Sequence, residues 1–418
     1  MTLIRQAEIL CVGTELLLGQ ITNTNASWLA RELSLTGIHS YYQTVVGDNP
    51  ERLAACLEQS AARSDLVILT GGLGPTQDDI TMAVAARVAG VPLRMHEPSR
   101  EAIASYFTRI GRHQVTDNNW KQAMMPDPSI VLPNNNGTAP GAIMTMERAG
   151  HICYLVLLPG PPGEMQLMYR ESIAPWLEPQ TNSKLRHLFV RMIGIGESAA
   201  ETMLLDLING QQNPTLASYA SDGEVMFRIT QSVKSADEPD LTEAMLARVR
   251  ERVGDYIYEV GPRTMPEVML DLLREQGKTV SFAESCTGGL VSAQLTDIPG
   301  ASAAFMGSIV AYDNAVKQAQ LGVSQSLLEQ EGAVSEACAI AMATGCRALF
   351  KTDYAVSITG IAGPDGGTPD KPVGLVYLAV AGPDGQECRK LQMRGNRQRI
   401  RKVSALNAFD LLRRHLIH

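Results

Sequence analysis

TVSFAESCTGGLVSAQL, residues 279–295, passes from a short apolar strand over 279–283 through a glycine-rich turn into a helix that opens at Leu290. A strand feeding a helix is the repeating unit of an α/β sheet. The turn carries Ser285, a hydroxyl placed where free N–H groups at a helix N-terminus can stabilise an oxyanion or a phosphate. Two plainer roles compete: Ser285 is also a good helix N-cap, and Cys286 beside it is a rival nucleophile. With no histidine near to generate a thiolate, Cys286 reads as a small buried cysteine.

Beyond residue 278 the histidines are His415 and His418, at the C-terminal end. That argues against a Ser-His-Asp triad here, and the recurring substitute for histidine is a lysine kept neutral by partial burial. Lys317 is the best placed. It follows a strand-like run, 307–312, that breaks at Asp313-Asn314 and turns into a helix, so Tyr312 and Lys317 fall at a strand end, where open α/β sheets gather their chemistry. Tyr312 reads equally as a half-buried strand aromatic. Lys278, Lys351, Lys371, Lys390 and Lys402 fall at predicted surface turns and helix ends. A further strand, 354–357, runs into SITGIAGPDGG (357–367), whose glycines let backbone approach a ligand.

A chain of 418 residues is too long for one core and predicts two or three domains. A formal net charge of −8 argues against a nucleic-acid coat but not against an anionic small molecule, which needs only local cations. The seven cysteines are scattered and include no CxxC pair, so neither a disulfide framework nor a structural zinc site is expected. The N-terminus does not read as a signal peptide and no apolar run reaches membrane-spanning length, which predicts a soluble cytoplasmic protein.

The first half alternates strands (8–13, 41–47, 65–70) with helices (25–34, 51–62, 80–89), predicting a parallel sheet covered on both faces with ligands at the strands' C-terminal ends. The loops there are Gly13-Thr14-Glu15, Gly47-Asp48-Asn49 and the run from Gly71 through Gly72, Gly74 and Asp78 to Asp79. Glycines let N–H groups cradle phosphate, whereas carboxylates repel it unless a hard divalent cation lies between. Asp48, Asp78 and Asp79 are the candidate ligands for such a cation; each alone also suits a helix cap. No Gly-Lys-Ser/Thr follows the glycines, which excludes a kinase-type P-loop. Strands at 188–193 and 225–231 with helices at 197–208 and 241–253 make a small α+β module, and 260–266 reads as a linker with Pro266 opening a helix.

The set AESCTGG (283–289), YDNAVK (312–317), GAVSE (332–336), SITGIAGPDGG (357–367), KPVGLVY (371–377) and GNRQRIR (395–401) resembles the C-terminal domain of the CinA family. The resemblance implies a nicotinamide mononucleotide (NMN) deamidase, yielding nicotinic acid mononucleotide and ammonia without a cofactor. Its catalytic serine matches Ser285, its lysine base Lys317 and its tyrosine Tyr312. The residues suit that chemistry. The N–H groups of Cys286, Thr287, Gly288 and Gly289 offer an oxyanion pocket, Thr359 and Gly360 would line it, and Arg397 and Arg401 are cations for the nucleotide phosphate. The alternative for the arginines is that the last helix simply carries a solvated basic face.

CVGTELLLGQITNTN (11–25), VGDN (46–49), TGGLGPTQDDIT (70–81), LPNNNGTAPG (132–141) and LPGPPGEM (158–165) resemble the N-terminal domain of the same family, which has the fold of molybdopterin-binding proteins. That resemblance implies metal-dependent (Mg2+, Mn2+ or Co2+) cleavage of ADP-ribose to AMP and ribose 5-phosphate, with Glu15, Asp48, Asp78, Asp79, Lys121 and Asn136 around the cleft. Related domains bind molybdopterin instead, so a non-catalytic nucleotide- or pterin-binding module stays open. The expected organisation is residues 1–173, a KH-like module over 174–260 and an amidase domain over 261–418. Without a GXXG loop flanked by basic residues, the middle module reads as a spacer or a homodimer contact rather than an RNA binder.

Overall fold

The computed structural model describes residues 3–112, 114–148, 150–181, 184–233 and 237–417. Its contacts divide the chain into two compact units, residues 1–186 with 232–239, and residues 187–231 with 240–418.

In the first unit, strands β1 (Gln6–Val12), β2 (His39–Val46), β3 (Leu66–Thr70), β6 (Ile130–Leu132), β7 (Gly141–Arg148) and β8 (His151–Leu158) form one sheet in the order β2-β1-β3-β8-β7-β6; β4 (Leu93–Met95) and β5 (Met124–Pro126) pair separately. The strands β2, β1, β3 and β8 run parallel, as the sequence predicts, but β7 and β6 continue the sheet antiparallel. Alternation along each strand feeds two cores. Ile9, Ile68 and Val156 pack with Leu29 and Leu33 of the helix Thr24–Leu35, whereas Leu10, Val67, Leu69 and Leu155 pack with Leu53 and Leu57 of Pro50–Ala61 and Val84 of Thr81–Ala89. This two-sided burial explains why β3 is apolar throughout. Asn23 and Asn49 cap the first two of these helices, accepting from Ala26 N and Arg52 N.

The second unit holds two sheets. β9 (Lys184–Ile193), β10 (Thr215–Ser221), β11 (Glu224–Val233) and β12 (Ile257–Val260) are ordered β10-β11-β9-β12. The single helix expected over 197–208 is two, Glu197–Met203 and Leu205–Asn209, because Leu204 leaves helical geometry (φ −107°, ψ 7°). The stretch 260–266, read as a linker, is held in place: Arg263 pairs with Glu259 at 2.8 Å and Asp271 at 3.0 Å.

The second sheet is β14-β13-β15-β16-β17, from β13 (Val280–Glu284), β14 (Phe305–Val310), β15 (Tyr354–Gly360), β16 (Leu375–Gly382) and β17 (Gly385–Gln392). Its first three strands are parallel and its last two antiparallel. Helices Met265–Glu275 and Arg397–Ile417 cover one face through Leu270, Phe409 and Leu412 against Phe282, Val356 and Leu378. Helices Asn314–Leu321 and Glu336–Phe350 cover the other through Leu321, Cys338 and Met342. The last helix is therefore not simply a solvated basic face. Asp410, 2% exposed, accepts from Arg413 and Arg414 and anchors part of its charge in the core. Among the described residues no helix is long and apolar enough to cross a membrane.

Candidate active site and nucleotide cleft

Ser285 leaves β13 at its C-terminal end, its N–H still paired with Ile358 O at 2.9 Å, and lies 8% exposed. Gly288 and Gly289 then take left-handed φ values of 59° and 89°, which side chains with a Cβ rarely adopt, and so turn the chain into the helix Leu290–Thr296. Lys317 reaches the turn from the first turn of Asn314–Leu321, a helix started by Asp313 capping Ala315 N. Its Nζ lies 3.2 Å from Ser285 Oγ, 2.7 Å from Ala311 O and 3.3 Å from Tyr312 O. Lys317 is 1% exposed, and this burial lowers its pKa from the ordinary lysine value. Carbonyl oxygens only accept, so both take N–H bonds from Lys317; in the neutral form of the amine these two bonds use both hydrogens and leave the lone pair for the serine proton. Burial pushes the neighbouring Cys286 thiol up to about 12, which keeps it protonated at neutral pH.

Several expected residues do something other than expected. Gly288 N donates to Ser285 O, and the first helical amides, Val291 N and Ser292 N, donate to the buried Glu284 carboxylate at 3.1 and 2.9 Å. What remains for an oxyanion is the amides of Thr287 and Gly289, engaged by no other described residue, and that of Cys286. Glu284 was not singled out from the sequence; the signal was a carboxylate ending an otherwise apolar strand. The Tyr312 side chain is 61% exposed, with its hydroxyl 3.0 Å from Arg397 Nη2, so its carbonyl rather than its phenol meets Lys317. Thr359 spends its hydroxyl on Ala333 O at 2.6 Å, and Gly360 backs onto Val376 and Leu375 O. Arg397 donates to Gly363 O, and Arg401 grips Thr287 O with Nε and Nη2 at 3.2 and 2.6 Å. Arg401 thus holds the serine turn itself, and Arg397 the loop at Gly363 and the Tyr312 hydroxyl.

In the first unit the strand ends open onto a cleft of about 540 Å³ that includes Glu15, Gly71, Gly72, Gly74, Asp79 and Glu164. Gly71 has φ 101°, and a Cβ there would sit 2.2 Å from Val12 O, so only glycine passes. No lysine, arginine or histidine lines this cleft among the described residues. Glu164, whose pKa burial raises, accepts from Asn134 Nδ2.

The expected aspartate cation site is not assembled. Asp48 accepts from Thr14 N and Oγ1 (2.9 and 2.7 Å), Asp79 accepts from Thr76 N at 2.8 Å, and Asp78 is exposed. Among the described residues no three His, Cys, Asp or Glu side chains converge to hold a metal ion. Asp79 closes its own loop, as capping residues do, whereas Asp48 ties its loop to the Gly13-Thr14-Glu15 loop. Lys121 Nζ bridges Thr76 O and Asp79 O at 2.8 and 2.7 Å, fixing the loop, and Asn136 is exposed beside Asn134.

Comparison with known proteins places these two sites in context. A CinA-like protein of Dictyoglomus turgidum is 47% identical over 414 residues, covering 99% of this chain and 100% of its own length. The chain belongs to the CinA family. A CinA-like protein of Kosmotoga olearia is 46% identical over 417 residues, covering 99% of both chains. Family models match in order along the chain: a probable molybdopterin binding domain over residues 8–179, the damage-inducible protein CinA KH domain over 188–258 and the CinA C-terminal domain over 262–416. Among solved structures, competence/damage inducible protein CihA from Agrobacterium tumefaciens is 36% identical, covering 38% of this chain and 99% of its own, with a TM-score of 0.36. The CinA C-terminal match contains Ser285 and Lys317, and the molybdopterin-binding match contains the whole 540 Å³ cleft.

Proposed function

We propose that this CinA protein is a bifunctional pyridine-nucleotide hydrolase, deamidating NMN at the Ser285 centre and cleaving ADP-ribose in the N-terminal cleft. The observation that carries the first activity is the buried Lys317 amine 3.2 Å from Ser285 Oγ and within hydrogen-bond reach of the Ala311 and Tyr312 carbonyls. Ser285 Oγ attacks the carboxamide carbon as its proton passes to Lys317, and the oxyanion takes the free amides of the turn. Collapse breaks the C–N bond, Lys317 returns the proton to the leaving nitrogen, and ammonia departs. Water, deprotonated by the same lysine, then splits the acyl ester to release nicotinic acid mononucleotide and regenerate Ser285. Arg397 and Arg401, at the rim, are the cations for the 5′-phosphate.

For the second activity, the absence of any cation among the described side chains that line the cleft supports a divalent ion bridging protein and diphosphate. Glu15 and Asp79 are the cleft carboxylates that would hold such a hard cation, which would neutralise the diphosphate charge when bound. Gly71, Gly72 and Gly74 give the phosphates room against backbone. That no three His, Cys, Asp or Glu side chains converge among the described residues favours a second reading, in which the cleft holds a nucleotide or pterin without hydrolysing it.

Purified protein incubated with NMN should release ammonia and nicotinic acid mononucleotide, and the Ser285→Ala variant should release none. Ammonia from the serine-free variant at the wild-type rate would overturn the deamidase assignment. ADP-ribose that stays intact with every divalent metal would leave the cleft as a binding module.

A further inference from the structure

The helix Arg397–Ile417 is held on two faces over its first turns. Arg397 donates to Gly363 O and the Tyr312 hydroxyl, and Arg401, one turn on, donates to Thr287 O. At about 3.6 residues per turn, Arg399, Val403 and Leu406 lie on the opposite face. Against that face rests the Asp222-Gly223 turn that joins β10 to β11 in the KH-like module. Gly223 has a left-handed φ of 86°, and a Cβ added to it would lie 3.2 Å from both γ-carbons of Val403 and from Leu406 Cδ2. Asp222 Oδ1 is 3.5 Å from Arg399 Nε.

The hairpin behind this turn is itself fixed. Glu224 accepts from the Tyr258 hydroxyl at 2.6 Å and from Arg191 Nη1 at 2.7 Å, and Tyr258 belongs to the same apolar core as Phe409 and Leu412 of the last helix. The Asp222–Arg399 pair is exposed and contributes little by itself. What joins hairpin to helix is the close approach of backbone at Gly223, which a Cβ would crowd. The serine turn has anchors that the hairpin does not touch, Ser285 N on Ile358 O and the Glu284 carboxylate on Val291 N and Ser292 N. Arg397 and Arg401, by contrast, lie where the helix puts them.

We propose that the β10–β11 hairpin is a positioning element of the deamidase, in which Gly223 and Asp222 back the last helix and so set Arg397 and Arg401 for the 5′-phosphate of NMN. The inference rests on the reading of the Ser285 centre as an NMN deamidase. It gives the KH-like module a task within the chain that needs no RNA. The hairpin acts on substrate binding rather than on bond breaking, because Ser285 and Lys317 are carried by other elements, the end of β13 and the helix Asn314–Leu321. A phosphate clamp shifted from its place loses orientation as well as contact.

The test is steady-state deamidation of NMN by the full chain. Gly223→Val, which wedges the hairpin away from the helix, should raise KM on the order of 5-fold or more while kcat stays within about 2-fold. A variant that merely loosens the fold lowers the active fraction, and hence kcat, without moving KM. Asp222→Lys, at an exposed position, turns attraction for Arg399 into repulsion and should raise KM about 2-fold, with Arg399→Asp in the same chain restoring it. In an Arg397→Ala background Gly223→Val should add much less than it does alone, because residues acting through one another are not additive. An unchanged KM in the hairpin variants, a loss confined to kcat, or an equal fold-change with and without Arg397 overturns the proposal. If Gly223→Val shows no cooperative unfolding transition, the Asp222→Lys and Arg399→Asp exchange decides. A wild-type chain that releases no ammonia from NMN overturns the deamidase reading and this proposal together, whereas an active wild type with indifferent hairpin variants overturns this proposal alone.

Discussion

Lys317 is enclosed by Cys338, Ala311 and their neighbours, yet must accept and return a proton in each cycle. Burial disfavours its ammonium form, so its pKa lies below the ordinary lysine value of 10.5. A base works in its neutral form, whose fraction grows with pH. NMN deamidation, followed as kcat/KM by ammonia release, should therefore rise with pH through an apparent pKa below that of free lysine, and a flat profile would argue against the lysine base. Lys317→Ala should cost on the order of 10² or more in kcat, and Lys317→Arg should not rescue it, because a guanidinium stays protonated. Cys286 gives the converse expectation. Its thiol, pushed up to about 12 by burial, is protonated at neutral pH. Cys286→Ala keeps the backbone N–H and should retain most of the ammonia release; a dead Cys286→Ala with an active Ser285→Ala would reverse the nucleophile assignment.

At the scale of elements, the helix Arg397–Ile417 does two jobs with one set of charges. Its first turns set Arg401 on Thr287 O of the serine turn and Arg397 on Gly363 O and the Tyr312 hydroxyl, and its last turns bury Asp410. Burial alone would raise the Asp410 pKa, but hydrogen bonds and charge from Arg413 and Arg414 outweigh it and hold the carboxyl below the usual aspartate value. Arg389 of β17 adds a contact at 3.3 Å. A depressed carboxylate contributes stability that is fully present above the unfolded aspartate pKa and lost as pH falls through the lower folded one. Urea midpoints of the native chain should accordingly fall with acidification in that window. Asp410→Asn, which leaves buried arginine charge under-compensated, should cost about 3 kcal/mol of unfolding free energy and flatten this pH dependence. An unchanged midpoint would mean that the network is dispensable.

For the whole molecule, the two candidate centres lie in separate compact units and ask for different chemistry. The Ser285 centre has its base, nucleophile and amides within one domain, whereas the cleft has carboxylates and, among the described residues, no cationic side chain to meet a diphosphate. A chelator, or Asp79→Ala, should abolish ADP-ribose cleavage while leaving NMN deamidation intact, both read by separating the nucleotide products. Loss of both activities together would show that the chain does not house two independent centres.

The sequence by itself determined the α/β alternation, the faces of the first sheet and the identity of the serine turn, because strand and helix periods and glycine placement are local properties. Ile9 and Leu10 go to opposite cores simply by pointing to opposite faces of β1. It also led to Lys317 by elimination, since no other lysine of that half follows a strand end. Tertiary structure alone decided what those residues touch. Val291 and Ser292 amides are claimed by Glu284, the Tyr312 carbonyl rather than its phenol faces the lysine, and Asp48 accepts from Thr14 while Asp79 closes its own loop. Asn25 and Gln122, about a hundred residues apart in the chain, line one cleft. Hydrogen-bond partners are set by distance and direction in three dimensions, and a pattern of residue types along the chain carries neither.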